Sequence, residues 1–206
     1  MTEIDALATA PKGQRVRMRP GERRSQLIEI GVQMLADRPL EELSIDALAD
    51  EAGISRGLLY HYFANKTEFH VEVVKKLAED LYAITAPTAD DDPLMQLRLS
   101  LDAYVTYVSA NHGTYLTLVR AVSSGNPELA QIYRDARDAL VARLFDRIPN
   151  SDIAGVADTP ATRLLAHSWA VFVEDVVLAW IRDDAGLARD ALLDKLVGVL
   201  VVLATS

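Results

Sequence analysis

The sequence predicts an all-α protein of about nine helices, and three observations carry that expectation. Apolar residues recur at three- and four-residue intervals along most of the 206-residue chain. No stretch shows the two-residue alternation of a half-buried strand. Helix-start and helix-stop residues punctuate the pattern where such helices would begin and end.

Residues 1–20 form an expected flexible basic arm, because Pro11, Gly13, Pro20 and Gly21 discourage regular structure. A first helix near 21–37 places Leu27, Ile30, Gly31, Met34 and Leu35 on one face and stops before Pro39. In the next stretch, SIDALADEAGISRGLLYHYFANK, residues 44–66, Ile45, Leu48, Ala49 and Ala52 form one apolar stripe of a short helix. Gly53 suits the left-handed backbone of a sharp turn, and Ser55 suits the N-cap of the next helix. Leu59 and Phe63 turn inward, leaving Arg56, Gly57, Tyr60, His61 and Tyr62 outside. Asn65 caps a fourth helix, with Glu68 three residues on, that runs to about Ile84.

Residues 86–93 are the clearest loop, and Asp92-Pro93 open a fifth helix with Leu94, Leu97, Leu101, Tyr104, Val105 and Val108 inward. Asn111-His112-Gly113 break it, and a shorter helix carries Tyr115, Leu118 and Val119. Residues 123–127 lead into a helix through Leu129, Ile132, Tyr133, Ala136, Leu140 and Leu144, ending at Pro149. Thr159-Pro160 open a long helix to about Asp183, and the last helix occupies roughly 187–204. The expected division is 1–20 arm, 21–66 helix-turn-helix domain and 67–206 helical body, with 67–85 as the connecting helix.

A helix-turn-helix whose second helix is amphipathic is a device for placing one helix in the DNA major groove. The run Ser44 through Ala49, Ala52-Gly53-Ile54-Ser55, Gly57, Leu59-Tyr60, Tyr62-Phe63 and Lys66 resembles the DNA-binding domain of the TetR family of bacterial transcriptional regulators. The resemblance is dense from about Arg23 to Lys66 and rests on the combined spacing. It implies that Ser44 caps the first helix of the motif and faces a phosphate, and that Tyr60, Tyr62 and Lys66 clamp the DNA backbone. Ser55, Arg56 and Gly57 occupy the first turn of the recognition helix. Arg56 is suited to guanine O6 and N7, or else to one more phosphate. Gly57 permits close approach, and Leu58 can touch a thymine methyl.

A net charge of −9 looks wrong for a DNA binder until its distribution is followed. Residues 12–24 carry Lys12, Arg15, Arg17, Arg19, Arg23 and Arg24 against only Glu22, a balance of +5. Residues 67–206 hold 20 acids against 12 bases. A basic edge on an acidic body lets one face approach phosphate while the rest repels it. Arg15, Arg17 and Arg19 read either as a groove-seeking arm or as a solubilising tail. With no cysteine, disulfides and thiolate metal sites are excluded. The N-terminus lacks a secretory pattern, and the apolar runs near 164–173 and 196–204 fall short of a bilayer span. The expectation is a soluble cytoplasmic protein with no membrane partner.

The body poses a separate question. The segments 169–181 and 196–204 are apolar around most of their circumference, which calls for a second subunit or a deep monomeric core. The resemblance implies a homodimer built on the helices near 160–183 and 187–204, reading a palindromic double-stranded operator. It also implies a small-molecule effector bound within the body. Tyr104, Tyr107, Tyr115, Trp169 and Phe172 are candidate pocket residues, though side chains at such spacing also fill ordinary cores. Glu174, inside an apolar helix, requires a partner: a ligand, His167, Arg120 or the other subunit. The four histidines show no metal-ligand spacing, and no nucleophile elbow or Gly-rich phosphate loop occurs. No cofactor, metal or catalytic residue is expected, and an enzyme using His167 and Glu174 is the distant alternative.

Overall fold

The computed structural model describes residues 19–87, 92–123, 125–146 and 157–205. Among the described residues the chain forms nine α-helices, one short 3-10 helix and no strand. The helices are α1 (Pro20–Met34), α2 (Ile45–Ala52), α3 (Arg56–Tyr62), α4 (Lys66–Ile84), α5 (Pro93–Ala110), α6 (His112–Ser123), α7 (Pro127–Asp146), α8 (Pro160–Arg182) and α9 (Arg189–Thr205). The fold class read from the sequence is the one observed. The boundaries depart from expectation in three places, each for a local reason.

Helix α1 ends at Met34, because the amides of Leu35, Ala36 and Asp37 bond to carbonyls three residues back and tighten the chain into turns. A 3-10 helix at Leu40–Glu42, unforeseen in the sequence, buries Leu40. The break after α5 narrows to Asn111, whose carbonyl accepts the Tyr115 amide at 2.9 Å, so α6 starts at His112.

Two main apolar clusters organise the helices. The first gathers Leu27, Leu35, Leu48, Leu59, Phe63, Phe69 and Val73 from α1 to α4, and takes in Leu118 of α6 and Leu129 of α7. The second joins Leu97, Leu101, Tyr104 and Val105 of α5 to Tyr115, Trp169, Val173 and Leu193. A smaller group, Val141, Phe145 and Ala166, holds α7 against α8. Helix α4 belongs to the DNA-side cluster through Leu77 and then continues to the body at Leu81 and Thr85.

Helices α1 and α4 pack closely at Gly31. A Cβ there would lie 2.6 Å from Phe69 Cζ and 2.7 Å from Val73 Cγ2. That crossing fixes α4 to the DNA-side helices.

Helix α8 corrects one sequence expectation. Its 23 residues are long and apolar enough, by length and composition, to cross a membrane. It instead buries Ala166, Trp169, Val173 and Val177 inside the bundle, and the Trp169 indole N–H donates to the Leu196 carbonyl at 2.9 Å. A long apolar helix whose inner face is covered by α5, α7 and α9 can match a membrane span in length and composition.

Candidate nucleic-acid interface and inner cavity

The helix-turn-helix is assembled by its caps. The Ser44 hydroxyl accepts the Ala47 amide at 3.0 Å, and the Ser55 hydroxyl accepts the Leu58 amide at 3.3 Å. Gly53 closes α2 in the left-handed region at φ 62°, where a side chain would strain the backbone. Leu59 and Phe63 are fully buried and pin α3 to the first cluster. The Asn65 side chain then accepts the Glu68 amide at 2.9 Å, starting α4. Glu68 reaches back to the Ala64 amide at 2.7 Å, one residue before the usual capping-box donor at Asn65.

This packing leaves Ser55, Arg56, Gly57, Leu58, Tyr60, His61 and Lys66 exposed on one side, with Ser44 and Tyr62 half-buried beside them. Nothing lies within 4 Å of a Cβ built on Gly57, so the recognition helix offers a bare backbone there. Arg56 is not idle in the free protein: its Nε sits 2.7 Å from Asp46 Oδ1. The Lys66 ammonium donates to the Glu41 carbonyl. Five carboxylates, Glu41, Glu42, Asp46, Asp50 and Glu51, accompany Arg56 and Lys66 within residues 40–66, so the motif itself is acidic. Positive charge comes from the chain before it. Arg19 is exposed at the start of α1, its amide donating to Glu22 at 2.9 Å, while Arg15 and Arg17 lie outside the described residues. Arg24 is committed elsewhere, bonding Glu72 at 2.6 Å and Glu68 at 3.3 Å.

The body holds a partly open cavity of about 430 Å³ between α4, α5, α6, α7, α8 and α9. Its walls are mostly aliphatic, including Leu81, Leu94, Leu97, Leu101, Leu140, Leu144 and Leu200. One end is polar. There Glu174 Oε2 accepts from the Tyr133 hydroxyl, from the Tyr115 hydroxyl at 3.3 Å and from Arg137 at 3.3 Å. The Tyr104 and Tyr115 hydroxyls are 3.1 Å apart, and the Arg137 guanidinium lies 5.0 Å from the Tyr133 ring centre. Burial, ahead of the neighbouring charges, raises all three phenols above their ordinary 10.0. Each therefore keeps its proton. Burial opposes the Arg137 charge, but Glu174 and Tyr133 outweigh it and raise its pKa.

At the α4 side, Arg143 donates to the Tyr82 carbonyl and the Thr85 hydroxyl, both at 2.7 Å, and stacks 4.0 Å from the Tyr82 ring centre. A cavity-lining arginine thereby holds the last turn of α4.

Of the pocket residues expected from sequence, Tyr104, Tyr115, Trp169 and Glu174 line this cavity and Tyr107 and Phe172 do not. Helical phase explains Phe172. Trp169, Ala170, Val173 and Glu174 share the inner face of α8, whereas Phe172 falls with Leu164 and Val171 on the opposite, exposed side. Tyr107 is half-buried against the second cluster, beyond the cavity wall. Neither His167 nor Arg120 partners Glu174. His167 pairs with Asp138 at 3.2 Å, and Arg120 is exposed. The pair of His167 and Glu174 suggested by their seven-residue spacing does not form.

Tyr133, Arg137 and Arg143 are the site residues that sequence reasoning missed. The apolar pattern of α7 turns Tyr133 inward, and Arg137 four residues on is a visible signal for the same helix face. Their meeting with Glu174 across 37 and 41 residues has no local signature.

A helix-turn-helix carried on a helical body with an inner cavity is the architecture of a DNA-binding regulator. Residues 27–73 match the family model "Bacterial regulatory proteins, tetR family" and residues 93–203 match "Tetracyclin repressor-like, C-terminal domain". The chain belongs to the TetR family of transcriptional regulators. It is 23% identical over 172 residues to the HTH-type transcriptional activator FasR of Mycolicibacterium smegmatis, covering 82% of this chain and 77% of the relative. It is 28% identical over 166 residues to the HTH-type transcriptional regulator BetI of Stenotrophomonas maltophilia, covering 78% and 80%. A tetR-family regulator from Streptomyces coelicolor superposes with a TM-score of 0.75 at 26% identity, over 90% of this chain and 82% of that one. The family and these relatives are regulators of transcription, and members of the family bind DNA and act as dimers.

Proposed function

We propose that the protein is a homodimeric, cytoplasmic repressor that leaves a palindromic operator when a small, largely apolar ligand fills the cavity. The observation that carries this reading is the course of α4. It starts at the end of the recognition helix, packs in the DNA-side cluster through Leu77, and forms cavity wall at Leu81 and Thr85. A ligand that widens the cavity moves α4, and with it the reading head. Helix α6 offers a second link, since Tyr115 faces the cavity while Leu118 lies in the DNA-side cluster. A ligand acts in this way only by binding the two states with different affinity.

In this reading residues 21–66 bind DNA and residues 67–206 receive the ligand and dimerise, with 67–85 shared between the two tasks. Ser44, Tyr60, Tyr62 and Lys66 hold phosphates, Ser55, Arg56 and Gly57 face base edges, and Arg17 and Arg19 bring charge to the neighbouring backbone. Dimerisation would use the outward faces of α8 and α9, where Leu164 is 67% and Val202 63% exposed. Two-fold symmetry then sets half-sites about 34–36 Å apart. A fold neighbour, FadR of Bacillus subtilis, was solved with stearoyl-CoA at a TM-score of 0.64 and 19% identity. It supports the capacity of this fold for a long amphiphile, not the identity of this ligand.

The second reading is a DNA-binding regulator without a small-molecule effector. The relatives also divide between an activator, FasR, and repressors such as KstR2 of Mycolicibacterium smegmatis. A gel shift with the DNA flanking its own gene, repeated with a panel of apolar small molecules, tests the proposal. Retarded DNA released by one class of compound is the expected result. No retardation of any flanking fragment would refute DNA regulation at that locus, and retardation insensitive to every compound would favour the second reading.

A further inference from the structure

The two oxygens of Glu174 are used unequally. Oε2 takes all three bonds, from Tyr115, Tyr133 and Arg137, and Oε1 takes none from any described residue. Among the described residues no buried side-chain oxygen lacks a partner, so Oε1 is accessible, on a side chain that lines the cavity.

The proton count at this end is directional. Tyr115 and Tyr133 spend their protons on Glu174, so in the hydroxyl pair at 3.1 Å Tyr104 donates to Tyr115. The cavity end therefore presents acceptors, Glu174 Oε1 and Tyr104 Oη, with the remaining N–H groups of Arg137 as donors beside them.

The space is elongated. Its lining on α7 runs from Tyr133 to Phe145, about 18 Å at 1.5 Å per residue. Helix α8 runs antiparallel alongside, since Arg137 meets Glu174 at one end and Arg163 stacks 4.7 Å from the Phe145 ring centre at the other. Away from Glu174 the walls are apolar, with Phe145 and Trp169 among the aliphatic side chains, apart from Arg143 and a few hydroxyl and amide groups.

We propose that the cavity takes a long apolar molecule whose inner end is a neutral hydroxyl, donating to Glu174 Oε1 and accepting from Arg137. This deepens the receptor reading above and rests on it. A carboxylate at that end could take the Arg137 N–H groups, but it would set a second negative charge beside Glu174 and leave Oε1 without a donor. An ammonium could donate to Oε1, but it would sit beside the Arg137 guanidinium, 3.3 Å from the same carboxylate. A hydroxyl satisfies both neighbours and adds no charge.

The test uses the full chain and four probes of one chain length: 1-decanol, decanoate, decylammonium and decane. Trp169 lines the cavity and Trp180 does not, so Trp180→Phe isolates the fluorescence of Trp169, and the thermal midpoint of the unmodified chain is a second readout. The expected result is that 1-decanol binds at least tenfold tighter than the other three. In Glu174→Gln the preference for 1-decanol over decanoate should shrink to within about threefold, because the like charge is gone. The wild-type rank order decides the matter even if that variant fails to fold. Decanoate, decylammonium or decane binding as tightly as 1-decanol would overturn the hydroxyl assignment and leave the receptor reading standing. No response from Trp169 or the midpoint to any probe would overturn the hydroxyl assignment, and the receptor reading would stand or fall on the gel shift with the panel of apolar compounds.

Discussion

Replacing Leu164 by Glu should dissociate the proposed dimer while sparing the subunit. The outward face of α8 carries Leu164, Val171 and Phe172 at 67%, 47% and 43% exposure, opposite the face that lines the cavity. Full burial of a leucine side chain contributes about 1.5–3 kcal/mol, so the two-thirds of Leu164 left exposed corresponds to about 1–2 kcal/mol. A two-fold axis presents the residue twice, giving about 2–4 kcal/mol per dimer, or roughly thirty-fold to several-hundred-fold in the dimer dissociation constant. Burying two carboxylates adds to that cost. The intramolecular core is little affected, because Leu164 lies outside the buried clusters. Sedimentation equilibrium over a dilution series reads the association, and circular dichroism melting reads the fold. A variant that dimerises at wild-type concentrations, or a wild type that stays monomeric throughout, would refute the reasoning. A variant that melts far below the wild type as a monomer would show that Leu164 supports the core instead.

Four further perturbations follow from the same structure. Arg56→Ala should weaken operator binding by about 1–3 kcal/mol per half-site with little change on random DNA, whereas Asp46→Ala, which removes an exposed partner worth about 1 kcal/mol or less, should raise affinity for random DNA; fluorescence anisotropy on both DNAs separates the two. Deleting residues 1–19 should weaken operator binding and reduce the log-log salt slope by about 0.9 for each phosphate no longer neutralised, and an unchanged slope would make the arm a passenger. Gly31→Ala should cost about 1–3 kcal/mol in denaturant melts, because its methyl meets Phe69 and Val73, while Gly57→Ala, with open space at its Cβ, should be neutral or stabilising by up to about 1 kcal/mol; equal costs would contradict the close α1–α4 crossing. Burial, opposed by the bond between His70 Nε2 and the Leu43 carbonyl at 2.7 Å, lowers the His70 pKa from 6.5, so the unfolded chain takes up the proton first. That contribution to stability is full above the unfolded pKa of 6.5 and is lost as pH falls from there to the lower folded pKa; His70→Gln should flatten the thermal midpoint across that window.

Glu174 shows how far local pattern carries. Its place in an apolar helix marks it as a carboxylate in need of a partner, because burial of an unpaired charge is costly wherever it occurs. His167, seven residues earlier, shares its side of the helix, yet the structure turns His167 to Asp138 on α7. Phe172 shows the same limit on the same helix. An apolar stripe that runs almost all the way round has no phase of its own, so the sequence could not say which side faced the cavity and which faced away.

The sequence by itself determined the nine helices of the described residues, the turn at Gly53, the caps at Ser44, Ser55 and Asn65, and the inward set of the reading helix. Each of these depends on residues within one or two turns of each other, where spacing and backbone chemistry suffice. Tertiary structure alone decided that Tyr115, Tyr133 and Arg137 converge on one oxygen of Glu174, that Arg143 holds the end of α4, and that Asp46 occupies Arg56. Those pairings join residues from separate helices, and their geometry follows from how whole helices cross, which no local periodicity encodes.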